Sequence, residues 1–163
     1  MCLLNQTIML KQYSREIPTK VERMGGKFVL NYHLQETTEE EILSLWESEN
    51  IGNPNGIGQP DNYFKEEHKY NFNQVIVPMG KWKYDEVVSA IIRDKYREDE
   101  MEAITNNINM VVSEFFSTLV SEGIIQATKF LVESANGDSM NRFKEMQEWR
   151  VFAKKEAKEV FNM

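Results

Sequence analysis

The chain has 163 residues and a formal net charge of −7 at pH 7, with 41% hydrophobic and 28% charged residues. This length and composition are typical of a soluble globular protein with one domain, or one domain and a helical extension. The acidic balance argues against nucleic acid and anionic membrane surfaces as partners, because proteins that bind them usually present a basic face. The single cysteine, Cys2, excludes an internal disulfide and a cysteine-rich zinc site.

The sequence divides into three parts. Residues 1–12 are expected to be a flexible terminus, residues 13–80 a small β-rich part, and residues 81–163 a helical part. Three glycines, two prolines and several asparagines mark residues 50–62 (NIGNPNGIGQPDN) as the clearest loop of the chain.

Three strand-like segments occur in the β-rich part. In residues 27–34 (KFVLNYHL), apolar or aromatic side chains recur at every second position, which is typical of a strand with one buried face. Gly25 and Gly26 precede this segment, so a short strand at 20–24 is predicted to pair with it as a hairpin. A further strand is predicted at 70–78, where both faces become apolar near the end.

Helical signals begin after the predicted strand at 27–34. Thr38 and Glu41 have the spacing of a capping box, which predicts a helix at 39–48. In the C-terminal half, the apolar residues recur every three or four positions. This period predicts a helix capped by Tyr84 or Asp85.

The helical part continues with two long helices. One is predicted to begin near Glu98, where three acidic residues match the positive end of the helix dipole, and to kink or break at Gly123. The other begins at about Ser139, after a turn at 136–138, and the two are expected to pack as an antiparallel hairpin. The predicted fold class is therefore α+β, with a small antiparallel sheet in the N-terminal half followed by a helical half with a long helical hairpin.

Catalytic and ligand-binding motifs do not emerge from the sequence. His33 and His68 have no partner at metal-binding spacing. The glutamates at 39–41 lack the spacing of a calcium loop and are typical of a solvated helix start. The glycines of the 50–62 loop match no phosphate-binding pattern. We therefore predict no catalytic residue, no metal ligand and no cofactor, and we do not expect an enzyme.

The helical seam between residues 101 and 131 is the most informative feature of the sequence. It contains doublets of apolar residues, which make a stripe wider than one partner helix covers. Two interpretations stay open, because the seam can be buried between the sheet and the last helix or can form an interface with a partner. The residues predicted for such an interface are Val112, Phe116, Leu119 and Ile125, followed by Asn53, Pro54 and Pro60 in the loop.

Three segments resemble known proteins. YSREIPTKVERMGGKFVLNYHLQE (13–36), GKWKYDEVVSAIIRDKYREDEMEAITNN (80–107) and FKEMQEWRVFAKKEAKEV (143–160) resemble small uncharacterised proteins of bacteriophages and prophages of Bacteroides-type bacteria. Within the second segment, VVSAIIRDKY and EMEAI also resemble, more weakly, the C-terminal helical part of phage tail-fibre assembly proteins. The resemblance covers roughly half of the chain and brings no known catalytic or binding residue.

The resemblance implies a non-enzymatic phage or prophage accessory protein that acts through protein–protein contacts, with virion or tail assembly as its most specific form. The alternative is a small phage-encoded effector of the anti-defence type, which binds a host factor or a small ligand. The expected partner is another protein or a second copy in a homo-oligomer, with no nucleic acid and no membrane. The expected location is the cytoplasm of the bacterial host, or the virion.

Overall fold

Four strands and six helices make up most of the part of the chain that the computed structural model describes, which comprises residues 11–51, 58–135 and 137–162. The strands are β1 (Lys11–Ser14), β2 (Val21–Met24), β3 (Lys27–Glu36) and β4 (Tyr70–Pro78). The helices are α1 (Glu39–Glu49), α2 (Asn62–Glu67), α3 (Tyr84–Lys95), α4 (Glu98–Glu122), α5 (Ile124–Ala135) and α6 (Asp138–Phe161). The described residues fall into two units, with the boundary between Glu86 and Val87 in the first turn of α3.

The first unit is built on an antiparallel sheet with the strand order β1-β4-β3-β2. The predicted hairpin is confirmed, because β2 and β3 pair across Gly25 and Gly26. Gly25 has a φ of +60°, which glycine adopts without the steric cost that other residues incur. The predicted strand at 70–78 is also confirmed, and as β4 it lies in the middle of the sheet.

The first strand corrects one expectation. Lys11 and Gln12 were expected in a flexible terminus, but they pair with Asn73 and Phe72 as the first residues of β1. Four mostly polar residues carry little strand signal of their own, so the pairing with β4 and not the local sequence makes this segment a strand. Residues 1–10 of the predicted flexible terminus lie outside the described part of the chain.

Helices α1 and α2 both begin at side-chain caps. The predicted capping residue Thr38 accepts a hydrogen bond from the backbone nitrogen of Glu41 at 3.2 Å, and this confirms the start of α1. The start of α2 is capped by Asp61, whose carboxylate accepts a bond from the nitrogen of Phe64 at 2.7 Å. The ring of Phe64 lies edge-on against Trp46 at 5.0 Å, so α2 packs against α1.

Buried amide side chains accompany the apolar core of the first unit. Asn31 donates hydrogen bonds to the carbonyl of Thr19 at 2.8 Å and to the carboxylate of Glu22 at 3.0 Å, and it accepts one from Gln74 at 3.0 Å. Asn73 is equally buried, but its Nδ2 has no hydrogen-bond partner among the described residues. An unpaired buried donor is a cost to stability, so the two asparagines differ in what they contribute.

The second unit contains the helices after residue 86. Four residues on one side of α6 are buried at three- and four-residue spacing, and they are Met146, Trp149, Ala153 and Ala157. The indole Nε1 of Trp149 donates a hydrogen bond to the carbonyl of Ile91 at 3.1 Å, which joins α6 to α3. Helix α4 packs against α6 and α5, and the guanidinium of Arg142 pairs with Glu100 at 3.0 Å. The predicted α+β fold class is therefore confirmed, with a sheet in the N-terminal half and a helical C-terminal half.

Alanine substitutions at Asn31 and Asn73 test the difference in hydrogen bonding between these two buried side chains. Both Asn31→Ala and Asn73→Ala remove a buried amide side chain of the same size, but the first also removes the hydrogen bonds to Thr19, Glu22 and Gln74, whereas Nδ2 of Asn73 has no partner among the described residues. We expect Asn31→Ala to lower the free energy of unfolding by about 1–3 kcal/mol more than Asn73→Ala does. Urea unfolding of both variants and the wild type measures this, and equal losses would contradict the network described for Asn31.

Candidate functional site

A sharp turn at Gly123 sets the geometry of the most exposed apolar surface. Gly123 has a φ of +87° and a ψ of 175°, a backbone conformation that is nearly confined to glycine. It ends α4, and α5 begins at the next residue. Helices α4 and α5 contact each other on either side of this residue, so the chain changes direction here. The break that the sequence predicted at Gly123 is confirmed.

The inner sides of α4 and α5 are filled by residues at helical spacing. Ala127 of α5 is fully buried, and Phe130 beside it is half-buried. On α4, Phe115 and Leu119 are half-buried at a spacing of four residues, which places them on one side of the helix. The small side chain of Ala127 allows the two helices to approach closely.

The outer sides carry large apolar side chains that remain exposed. We call this surface the apolar face, and it consists of Val112, Phe116, Val120, Ile124, Ile125, Leu131 and Val132. The exposed fraction is 57% for Phe116, 80% for Ile125 and 88% for Val120. Soluble proteins commonly expose single apolar side chains, but a group of seven on two adjoining helices is unusual.

The arrangement of these residues makes the surface continuous. Val112, Phe116 and Val120 are four residues apart and form one ridge along α4. On α5, the two doublets that begin at Ile124 and Leu131 are seven residues apart and also share one side. On both helices the exposed stripe is rotated about the helix axis away from the buried and half-buried residues. The direction of rotation is the same when each helix is viewed from its first residue. The two stripes meet at the break, where Val120 near the end of α4 and Ile124 at the start of α5 lie on either side of Gly123.

Few charges interrupt the apolar face. Between Ala103 and Ser121 the sequence contains a single charged residue, Glu114, which lies on the opposite side of α4 from Val112. On α5, Lys129 lies four residues after Ile125 and three before Val132, so this cation borders the exposed doublets. The surface is therefore mostly apolar, with a cationic neighbour in a strongly acidic chain.

The structure places the residues predicted for an interface in different surroundings. Val112, Phe116 and Ile125 are exposed members of the apolar face, and Leu119 is half-buried on the inner side. Pro60 is buried, so its ring offers little surface to a partner and does not support the predicted loop surface. Asn53 and Pro54 lie outside the described residues.

Four members of the apolar face were not predicted, namely Val120, Ile124, Leu131 and Val132. The pattern of neighbouring apolar residues was the signal that could have found two of them, Val120 after Leu119 and Leu131 after Phe130. In the Val111-Val112, Phe115-Phe116 and Phe130-Leu131 doublets, the first residue is half-buried and the second is exposed. The residue that follows an inner position therefore marks the outer side of the helix.

A polar cluster in the first unit is the other arrangement with chemical character. The carboxylate of Glu41 accepts hydrogen bonds from Lys11 at 2.8 Å, from Tyr13 at 3.1 Å and from Asn71 at 3.1 Å. Partial burial, the hydrogen bond to Glu41 and its negative charge raise the pKa of Tyr13 to about 12. These three donors hold the Glu41 carboxylate in place and join α1 to β1 and β4.

The two histidines are engaged in local structure. His68 lies against the ring of Phe64 at 4.1 Å, and its Nδ1 is 2.9 Å from the carbonyl oxygen of Phe64. His33 has a φ of +53° at the irregularity between the Tyr32 and Gln35 pairings of β3. In the described part of the chain, no group of three or more His, Cys, Asp or Glu side chains is placed to hold a metal ion.

Comparisons of the chain with protein-family models, with curated proteins and with solved structures found no match. Among the helices in the described residues, none has both the length and the apolar character needed to cross a bilayer. A functional assignment therefore rests on the surfaces and cavities of the molecule itself.

The turn at Gly123 can be tested by substitution. Nothing lies within 4 Å of a Cβ added there, so Gly123→Ala meets no steric clash and its cost comes from the backbone conformation alone. We expect a loss of about 1–3 kcal/mol in the free energy of unfolding. Gly80→Ala, which also adds a Cβ into open space but at an ordinary φ, serves as the control and should be nearly neutral. Equal effects in urea unfolding would contradict the constraint.

The Glu41 cluster predicts a specific titration. Glu41→Gln removes the charge that acts on Tyr13, so the pKa of Tyr13 should fall from about 12 toward its ordinary value of 10. Tyrosinate absorbance against pH measures this, and Tyr13→Phe identifies the transition. Because folding raises this pKa, the wild-type chain loses stability as the pH rises from about 10 to about 12. An unchanged transition in Glu41→Gln would rule out the proposed cause.

Proposed function

We propose that this protein acts through protein–protein contacts made by the apolar face of α4 and α5, and that its role is not enzymatic. The observation that supports this most directly is the exposure of Val120, Ile125 and their neighbours on two helices that the described part of the chain leaves uncovered. Exposed apolar surface of this extent is typical of interaction sites.

The energetics favour a contact at this surface. Apolar burial stabilises by about 25 cal/mol for each Å² removed from water. Covering a patch of several hundred Å² would therefore contribute on the order of 10 kcal/mol before the entropic cost of association. The gain is large enough to hold a specific complex at cellular concentrations, provided that the partner surface is complementary.

A second copy of the chain is the partner that fits this surface. In a two-fold contact the same patch meets itself, so a charge close to the two-fold axis meets its own copy. The chain has a net charge of −7, but the seven residues of the apolar face are uncharged and the charged residue beside them on α5, Lys129, is a cation. Two copies can therefore approach through this face without bringing acidic side chains together at its centre.

The finer form of the proposal is an accessory role in a phage or prophage, with virion or tail assembly as the most specific version. Its support is the resemblance of residues 13–36, 80–107 and 143–160 to small phage and prophage proteins. A self-associating surface is consistent with assembly, which proceeds by repeated protein contacts. The corresponding locations are the host cytoplasm and the virion.

The mass of the protein in solution tests the self-association. We expect the wild type to be a dimer or a larger oligomer by light scattering, and Phe116→Ser with Ile125→Ser to be a monomer. Both side chains are exposed, so the double variant should retain its helical content and its unfolding midpoint.

Val151→Ser is the matched control, because Val151 is 67% exposed on α6 and is not part of the apolar face. This variant should associate like the wild type. A wild type that stays monomeric at high concentration would overturn the proposal. The same is true if the control dissociates as fully as the double variant, since the effect would then not be specific to the apolar face.

A further inference from the structure

A cavity of about 350 Å³ lies in the second unit, among α3, α4 and α6. Three cationic side chains line it, Arg93 from α3 and Arg150 and Lys154 from α6. Ile92 and Met101 give it an apolar wall, and Glu98 contributes one carboxylate. A volume of this size is within the range of small-molecule sites in proteins, which begins at about 300 Å³.

The cations of this cavity are not neutralised by the protein. Within the described ranges, none of Arg93, Arg150 and Lys154 forms an ion pair. The guanidinium of Arg150 is half-buried and instead donates to the sulfur of Met101 at 4.0 Å, and a thioether is a weak acceptor.

A second arginine between the same two helices shows the contrast. Arg142 lies eight residues before Arg150 on α6 and is held by the carboxylate of Glu100 at 3.0 Å. Arg150 lies two helical turns further along α6. Its contact on α4 is Met101, the residue after Glu100, and this residue is not an acid. The contact between α4 and α6 therefore satisfies one arginine internally and leaves the other directed at the cavity.

Gathering these cations has a cost in the empty protein. Arg150 and Lys154 are four residues apart on one side of α6, where like charges repel each other. With Arg93 and Glu98, the cavity has three positive charges and one negative charge in a chain whose net charge is −7. An anion in the cavity would replace the repulsion with charge-assisted hydrogen bonds.

We propose that this cavity binds a small organic phosphate. The phosphate group lies among Arg93, Arg150 and Lys154, where two guanidinium groups can each donate two hydrogen bonds to its oxygens. The carbon skeleton of the ligand lies against Ile92 and Met101. Glu98 accepts a hydrogen bond from a hydroxyl or amino group of the ligand, which distinguishes an organic phosphate from the inorganic ion.

The binding test uses calorimetry on the full chain with three probes: inorganic phosphate, adenosine monophosphate and adenosine. The monophosphate has a phosphate, hydroxyl groups and an amino group on a molecule of suitable size. We expect it to bind at least tenfold more tightly than inorganic phosphate, and we expect adenosine not to bind. Failure of both phosphate-containing probes to bind would overturn the proposal, as would binding of adenosine with the affinity of its monophosphate.

Two neighbouring lysines provide a matched pair of variants. Lys154→Gln and Lys155→Gln remove the same charge from adjacent exposed positions of α6, but only Lys154 lines the cavity. We expect Lys154→Gln to weaken the monophosphate at least tenfold and Lys155→Gln to leave it unchanged. Equal weakening by both variants would show a general charge effect and would overturn the site.

Replacing Arg150 can also change the packing of the helices. We therefore add a measurement that needs no ligand, the unfolding midpoint at low salt. If the cations repel each other in the empty cavity, both Arg150→Met and Lys154→Gln should raise the unfolding midpoint at low salt relative to Lys155→Gln. Added phosphate should raise the midpoint of the wild type and have little effect on the two cavity variants. Phosphate stabilisation that survives in both cavity variants would overturn the assignment.

Discussion

The break in the helix at Gly123 decides how the apolar residues of the helical unit are divided between buried and exposed sides. The stretch from Glu98 to Ala135 has enough apolar residues for two sides of a helix. A continuous helix would present them along one long rod. The glycine conformation divides the stretch into α4 and α5, which cover each other's inner sides and leave the outer sides exposed. The apolar face is therefore a consequence of one backbone position together with the doublet pattern.

Polar groups are treated differently in the two units. In the first unit, Glu41 and Asn31 each have several hydrogen-bond partners, although Nδ2 of the buried Asn73 has none among the described residues. In the second unit, Arg142 is satisfied in the same way, but Arg150 meets only a sulfur among the described residues. Exposed apolar side chains and cations without a counter-charge both cost free energy in a protein without its partner or ligand. Their concentration in the helical unit is the physical reason to place function there.

Local signals were sufficient to predict much of the fold. The hairpin followed from Gly25-Gly26 and the alternation after it, and α1 followed from Thr38 and Glu41. These features depend on residues close together in sequence. In contrast, β1 exists because β4 pairs with it, and α2 is a six-residue helix held by its Asp61 cap and by contact with Trp46. Such elements are stabilised by distant partners, so short polar segments gave no reliable sign of them.

The apolar face and the cavity were less predictable from local sequence signals than the strands and helices. The doublets indicated that α4 and α5 have surplus apolar residues, but not which member of each doublet lies outside, since that depends on how the helices pack after Gly123. The cavity could not be predicted at all, because its residues are brought together by three helices.

The two proposed sites share α4 but occupy different parts of it. Met101 borders the cavity in the first turn of the helix, and Val112, the first member of the apolar face, follows eleven residues later. At about 1.5 Å of rise per residue, they are roughly 16 Å apart along the helix axis. Substitutions separated by this distance and without a shared partner usually act independently. A change in oligomeric state therefore reports on the apolar face, and a change in phosphate affinity reports on the cavity, so the failure of one proposal leaves the other standing.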